Sequence, residues 1–250
     1  MRTWLSKFAL MATFGLAMAF PFSCSLLDDK GDDSSSSGGG GNTPNLSSPG
    51  GNPGSSSSSP GEYQPGYNPT IAKWMTTNLP YATDEGSVCF KGNTANCNEY
   101  GRLYNWAAAM DLPQKCNAIR STNDTDCRIN TPHRGLCPEG KHIPTRTEWD
   151  ALVNAAGGPS AATKTLKSSG WSSWSIYNGT DDYGFAAKHG GYGNADGTFY
   201  TAEDVARWWS ASEDNATYAY SRMIKNKNSD AVSEQSNDKN DFSSVRCLDN

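Results

Sequence analysis

Residues 137–149 read CPEGKHIPTRTEW and predict a helix that begins at Thr145, a short segment after Cys137. Thr145 followed by Glu148 three residues later is a capping box, in which each side chain satisfies a backbone N–H of the other residue. The apolar residues that follow have helical spacing and form one stripe: Trp149, Leu152, Val153 and Ala156. Gly157-Gly158 then supplies the C-terminal stop. We expect this stripe to face the core.

The segments on either side of this helix predict an α+β fold with short strands and long loops. Upstream, a stripe formed by Leu103, Trp106, Ala107 and Met110 predicts a helix that Pro113 ends. A hairpin is expected around Asn228-Ser229-Asp230, within the polar stretch 225–241. The adjacent Trp208 and Trp209 must point to opposite faces of their strand. Strands are predicted at Thr70–Leu79, Arg207–Ser212, Tyr218–Ile224 and Ser243–Leu248.

Six of the seven cysteines suggest three disulfides. Cys89 with Cys97 and Cys116 with Cys127 are close in sequence, which leaves Cys137 to pair with Cys247. Six cysteines allow fifteen pairings, so this choice depends on proximity and on placing Cys247 in a final strand. A zinc site is the alternative, but the chain has no Cys-x-x-Cys pair and an exported protein favours oxidation.

The N-terminus predicts a lipoprotein signal peptide over residues 1–23. Arg2 and Lys7 precede an apolar run, residues 8–22, that is short for a membrane span. Ser23 places a small residue before Cys24, whose thiol is the predicted lipid attachment. Cleavage after Ala17-Met18-Ala19 is the alternative and would release a soluble protein with an unpaired cysteine. Pro21 stands where lipoprotein signals usually have leucine.

Residues 24–62 are predicted to be a disordered tether, and residues 63–250 one domain. From residue 34 to residue 61 the tether is nearly all Ser, Gly, Pro and Asn, so this part cannot bury enough apolar surface to fold. Acidic residues after Cys24 resemble a signal for display on the outer face of the outer membrane; a solvated charge cluster is the alternative. The net charge of −5 and the lack of a basic block argue against nucleic acid as a partner.

The predicted domain resembles the Fibrobacter succinogenes major paralogous domain family. The motifs that carry the resemblance run in order along residues 74–247. They include Trp74-Met75, Tyr100-Gly101-Arg102-Leu103-Tyr104-Asn105-Trp106, Cys137-Pro138-Glu139-Gly140, His142-Ile143-Pro144-Thr145, Asp181-Asp182-Tyr183-Gly184-Phe185, Gly190-Gly191-Tyr192-Gly193, Trp208-Trp209-Ser210-Ala211-Ser212 and Ser244-Val245-Arg246-Cys247. Lys141 departs from the family pattern, which has tryptophan before the histidine. Family members are typically exported and often lipidated, and no biochemical function is established for them.

Residues 143–149 are also similar to the second helix of the formylglycine-generating enzyme group. That similarity implies a C-type-lectin-like fold with two helices, a small mostly antiparallel sheet, paired termini and long ligand-facing loops. Fold alone does not imply function. An enzyme of that group needs reactive cysteines near its C-terminus, and Cys247 is expected to be in a disulfide. His142, directly before the helix, is expected to be a packing or capping partner rather than a base.

The aromatic residues of the Gly/Ser/Asn-rich loops suggest a non-catalytic module that binds glycan or polysaccharide. Trp171, Trp174, Tyr183 and Tyr192 are the candidate ligand-binding residues, because flat rings stack on the apolar faces of sugars. Packing of these rings inside the loop region is the alternative. Asp181 and Asp182 offer hard oxygen ligands for calcium, with turn chemistry as the alternative. A structural or protein-contact component of the cell envelope is the other function considered.

Overall fold

The computed structural model describes residues 66–200, 202 and 204–250. The predicted signal peptide (1–23), Cys24, the tether (24–62) and the predicted domain start at Tyr63 lie outside these residues. None of the helices in the described part of the chain is long and apolar enough to cross a membrane.

The predicted capped helix is present as α3, Arg146–Ala155. The Thr145 hydroxyl accepts from the Glu148 backbone N–H at 3.3 Å, and the Glu148 carboxylate accepts from the Thr145 N–H at 2.8 Å. Trp149, Leu152 and Val153 are buried. Gly157 has a φ of 94°, which ends the helix, and Pro159 opens the next one, α4, Pro159–Thr165.

The predicted helix around Trp106 is shorter than its apolar stripe. It is α2, Trp106–Ala109, and it follows a separate helix α1, Thr94–Tyr100. Leu103 is not helical. It lies in strand β2, Leu103–Tyr104, which pairs with β1, Ser87–Val88. The Asn105 side chain accepts from the Ala108 N–H at 2.9 Å, so this N-cap starts the helix after Leu103.

Strands β6, Val205–Glu213, β7, Tyr218–Lys225, and β8, Ser233–Asp238, form the main antiparallel sheet. They contain the strands predicted at 207–212 and 218–224, and the predicted hairpin joins β7 to β8. The smaller pairs are β3, Lys141–His142, with β9, Leu248–Asp249, and β4, Tyr192–Gly193, with β5, Phe199–Tyr200. Short 3₁₀ turns lie at Ile71–Lys73, Phe90–Gly92, Gln114–Asn117, Thr125–Cys127 and Ser175–Tyr177.

Two strand predictions differ from the structure. The segment 70–79 is not a strand: it begins with the 3₁₀ turn, and Trp74 alone makes an isolated bridge, to Leu248. The Asn68 side chain accepts from the Thr70 N–H at 3.0 Å and so competes locally with strand pairing. The segment 243–248 makes isolated bridges through Ser243 and Ser244 before β9.

Strand β6 separates two apolar clusters. Trp208 packs on one side with Trp74, Trp149 and Phe185. Trp209 packs on the other side with a cluster that includes Trp106, Cys137 and Cys247. Both rings are fully buried. The opposite-face prediction is therefore correct, and both faces of the strand are core.

The six described cysteines form the three predicted disulfides: Cys89–Cys97, Cys116–Cys127 and Cys137–Cys247. The last joins residues 110 positions apart and ties the entry of α3 to the C-terminal segment. Cys247 is therefore held in a disulfide bond. The described residues form an α+β domain with four α-helices, small antiparallel sheets and disulfide bracing.

Candidate binding groove

Three neighbouring clefts share wall residues, and we call the three together the groove. The central cleft, about 450 Å³, shares Tyr177, Asp204 and Asn226 with a cleft of about 530 Å³, which we call the tyrosine cleft. On its other side it shares Glu99 and Tyr100 with a cleft of about 290 Å³, the Arg246 cleft. Ligand sites usually have volumes of about 300–1,000 Å³. The central cleft and the tyrosine cleft lie in the lower part of this range, and the Arg246 cleft lies just below it.

Unpaired polar atoms line the central cleft. Trp171 is fully buried, and its Nε1 finds no hydrogen-bond partner within the described residues. The same holds for Nδ1 of His189, whose ring lies edge-on to Trp171 with the centroids 5.6 Å apart. Oδ1 of Asn226 is likewise buried and unpaired there. Buried polar groups in native proteins are nearly always paired, so three unpaired atoms around one cleft are unusual. They are closed off from the cleft itself, and a ligand reaches them only when neighbouring side chains move.

Trp171 and Trp174, both predicted to contact ligand, have opposite environments. Trp171 packs into the first core cluster and is fully buried, so neither its ring faces nor its N–H is open to a ligand in this conformation. Trp174 is 68% exposed. Ser172 Oγ accepts from the Trp174 N–H at 3.1 Å, and Asn178 Oδ1 accepts from the Ser172 N–H at 2.6 Å. These bonds fix the backbone that presents the Trp174 ring.

A buried lysine holds two groove walls together. Lys167 Nζ donates to the backbone carbonyls of Tyr177 at 2.7 Å and Asn226 at 2.6 Å, and it lies 5.2 Å from the Trp171 ring centroid. Burial lowers the pKa of Lys167 to about 8, and the Asp230 carboxylate partly offsets this. At Gly179 a Cβ atom would lie 1.9 Å from the Lys167 carbonyl oxygen, so glycine is required where these segments cross.

The tyrosine cleft contains a stack of aromatic and cationic groups. Tyr192 and Tyr200 are cross-strand neighbours in β4 and β5, and their rings stack with centroids 5.1 Å apart and planes 14° apart. The Arg207 guanidinium lies 4.1 Å from the Tyr192 ring centroid and pairs with Asp241 at 3.3 Å. Burial raises the pKa of Tyr192. Tyr200, at 41% exposure, is the outer member of the stack.

The Arg246 cleft combines a buried guanidinium with an exposed ammonium. Arg246 donates to Asn78 Oδ1 from Nε at 3.1 Å and from a terminal nitrogen at 2.9 Å, and to the Phe185 carbonyl. Burial lowers the pKa of Arg246, and Asp181 partly offsets this. Lys188 is exposed, and its Nζ donates to the Glu99 carbonyl at 3.2 Å. The three clefts therefore differ in the groups that line them.

A family model, the Fibrobacter succinogenes major domain, matches residues 68–248. The chain belongs to this family. No curated protein and no solved structure matches the chain. Every groove residue named above falls inside the matched range, so the groove lies within the family domain of this chain.

Other predicted site residues of this family domain lie outside the groove. Tyr183 is partly buried and packs against the first core cluster. Asp181, with a φ of 48°, accepts from the Ala186 N–H at 2.7 Å, and the Asp182 N–H donates to the Thr165 carbonyl. The Asp181 carboxylate thus serves the turn. Within the described residues, no group of three or more His, Cys, Asp or Glu side chains is placed to hold a metal ion.

His142 acts as a structural partner. Its Nε2 lies 2.9 Å from Glu148 Oε1 and its Nδ1 lies 2.7 Å from Asn250 Oδ1. The ring thus links the capping box of α3 to the C-terminus, in agreement with the predicted packing role. The Glu148 pKa is lowered, since hydrogen bonds from Thr145 and His142 outweigh the effect of its burial.

Proposed function

We propose that this chain is an exported, lipid-anchored protein whose Fibrobacter succinogenes major domain binds glycan in the groove without catalysis. The observation that carries the proposal is the central cleft. There an exposed ring, Trp174, stands beside the buried and unpaired Nε1 of Trp171, Nδ1 of His189 and Oδ1 of Asn226.

Sugars match this combination of groups. A pyranose ring has an apolar face of C–H groups that stacks on an aromatic ring, and hydroxyls around its edge that both donate and accept hydrogen bonds. An indole N–H can only donate and an amide oxygen can only accept, so a hydroxyl satisfies either. Binding of a hydroxylated ligand would relieve the cost of leaving these buried atoms unpaired, about 1–3 kcal/mol each.

The fold proposed for this module is C-type-lectin-like. Support comes from the pairing of the two ends of the domain, where Trp74 bridges Leu248 and the Met75 N–H donates to the Cys247 carbonyl at 2.9 Å. Loops between α4 and β6 supply much of the groove wall, as the ligand-facing loops of such folds do.

The proposed location is the outer membrane, with the domain on the cell surface. Cys24 would carry the lipid, and residues 24–62 would act as a flexible spacer with a root-mean-square length of about 30 Å. Loss of fatty-acid labelling and of membrane association on Cys24→Ala is expected, measured by metabolic labelling and membrane flotation. A chain that floats with membranes and takes up label without Cys24 would contradict the anchor.

Trp174→Ala is expected to weaken glycan binding at least about tenfold, because the stacking surface is lost. The measurement is affinity electrophoresis and calorimetry of the full chain against a panel of soluble plant and bacterial polysaccharides. Tyr218→Ala is the matched control, since Tyr218 is 40% exposed but lies outside the lining of the three clefts. Equal binding by wild type and Trp174→Ala would contradict the proposed site.

A protein-contact role in the envelope is the second candidate. Ile176 is 67% exposed and lies two residues from Trp174. It adds an aliphatic side chain to the same exposed loop, and exposed apolar patches of this kind mark protein interfaces. Ile176→Ala separates the two functions. If the ligand is a glycan, Ile176→Ala should leave binding unchanged. If the ligand is an envelope protein, Ile176→Ala and Trp174→Ala should weaken binding equally, and that result favours protein contact.

A further inference from the structure

We infer that the groove holds an internal segment of a polysaccharide chain, spanning all three clefts, rather than a single sugar or a chain end. The inference rests on the proposed glycan function and specifies the class of ligand. It comes from the continuity of the clefts and from the different chemistry of the two that flank the central one.

The central cleft continues on both sides. Its walls are shared with the tyrosine cleft through Tyr177, Asp204 and Asn226, and with the Arg246 cleft through Glu99 and Tyr100. A site for a chain end needs a wall that stops the chain. Here a neighbouring cleft lies on either side of the cleft that contains Trp174, and a longer chain would enter both.

The tyrosine cleft offers a second stacking platform. Tyr200 is backed by Tyr192, which is itself backed by Arg207. Arg207 is buried and fixed by hydrogen bonds to Ser243 Oγ at 2.7 Å and to the Gly193 carbonyl at 3.3 Å. The stack is therefore held from beneath, and little side-chain entropy is lost when a sugar packs on Tyr200.

The Arg246 cleft offers hydrogen bonding instead of stacking. Thr76, Thr77 and Lys188 are exposed at its walls. Hydroxyl and ammonium groups bind sugar hydroxyls, and the Lys188 ammonium also favours an acidic sugar. A chain that crosses the groove would thus stack at two places and be hydrogen-bonded at the third.

Each cleft alone is about as large as a small-molecule site, so a monosaccharide or disaccharide would leave most of the groove empty. Further sugar units would add contacts in the flanking clefts at little extra loss of rotational and translational freedom. Affinity should therefore rise with chain length until the groove is filled, and then level off.

The test is calorimetry of the full chain with oligosaccharides of β-1,4-glucose, β-1,4-xylose and α-1,4-galacturonate, from the monosaccharide to the octasaccharide. At least one series should gain about tenfold or more in affinity between disaccharide and hexasaccharide. Tyr200→Ala and Lys188→Ala should each weaken binding of the hexasaccharide about three- to tenfold and leave the disaccharide unchanged. Trp174→Ala should weaken every length, and Tyr218→Ala none.

The outcomes separate the inference from the proposed function. If a disaccharide binds as tightly as a hexasaccharide, or if Tyr200→Ala and Lys188→Ala affect short and long ligands alike, the extended-chain inference is overturned while glycan binding stands. If none of the three series binds at any length, the proposed function itself fails. Tyr200 and Lys188 are surface residues, and circular dichroism of both variants checks that the fold is intact.

Discussion

Replacing Cys137 and Cys247 together by alanine is expected to lower the free energy of unfolding by about 4–5 kcal/mol. The disulfide closes a loop of 110 residues, and removing it restores the chain entropy of that loop to the unfolded state. Both cysteines are buried in the second core cluster, where alanine keeps the environment apolar. Most stable domains have only about 5–15 kcal/mol of stability, so a loss of this size takes a large share.

The matched control is the pair Cys89→Ala and Cys97→Ala. This disulfide closes a loop of eight residues, for which the same entropy relation gives about 2.5 kcal/mol. Urea unfolding of both double variants, followed by tryptophan fluorescence, measures the difference. An equal loss of stability in the two variants would contradict the loop-length explanation.

Features set by neighbouring residues were predictable from the sequence. The capping box at Thr145 and Glu148 needs only two side chains three positions apart, so it forms wherever the helix forms. The placement of Trp208 and Trp209 on opposite faces was equally clear, because neighbouring side chains alternate between the two faces of any strand. The disulfide between Cys137 and Cys247 followed from the cysteines left after the two short-range pairs.

Features set by a single asparagine side chain were not predictable from the spacing of apolar residues. Leu103 has helical spacing with Trp106, yet it pairs with Val88 in a strand because Asn105 caps the helix behind it. The segment around Trp74 looks like a strand, but the Asn68 side chain turns it. In both cases one asparagine side chain accepts a hydrogen bond from a backbone N–H group. The apolar pattern alone predicts a longer helix in the first case and a strand in the second.

The groove was only partly visible in the sequence. Loop composition pointed to Trp174 and Tyr192, which lie at the groove, and equally to Trp171, whose ring is buried. Lys167 and His189 gave no signal, because a lysine buried against two carbonyls, or a histidine between two rings, is defined by residues far away in sequence. Exposure of an aromatic ring depends on the whole fold.

Arg246→Met is expected to lower the free energy of unfolding by about 2–4 kcal/mol, because the backbone carbonyls that accept from the guanidinium lose their donor at about 1–3 kcal/mol each. Unlike Arg207, Arg222 and Lys239, which are also buried, Arg246 forms no ion pair with a carboxylate among the described residues. Its charge is instead held by the Asn78 amide oxygen, backbone carbonyls and the Phe185 ring, 4.3 Å away. Methionine fills the space but donates no hydrogen bond to these acceptors.

Asn78 explains why the loss should be large. Its Oδ1 accepts from Arg246 and, at 2.8 Å, from Trp208 Nε1, while its Nδ2 donates to the Tyr100 carbonyl at 2.8 Å. Removing the guanidinium therefore loosens the contact among the N-terminal segment, β6 and the C-terminal segment. Arg246→Lys should recover only part of the stability, because an ammonium cannot reproduce the forked geometry.

Urea unfolding of Arg246→Met, Arg246→Lys and Arg128→Met is the measurement. Arg128 is exposed, so its replacement should change stability by no more than about 0.5 kcal/mol. If Arg246→Met unfolds at the same urea concentration as Arg128→Met, the guanidinium does not hold the chain segments together. If Arg246→Lys is less stable than wild type but more stable than Arg246→Met, part of the lost stability is due to the charge. The rest is then due to the forked hydrogen-bond geometry of the guanidinium.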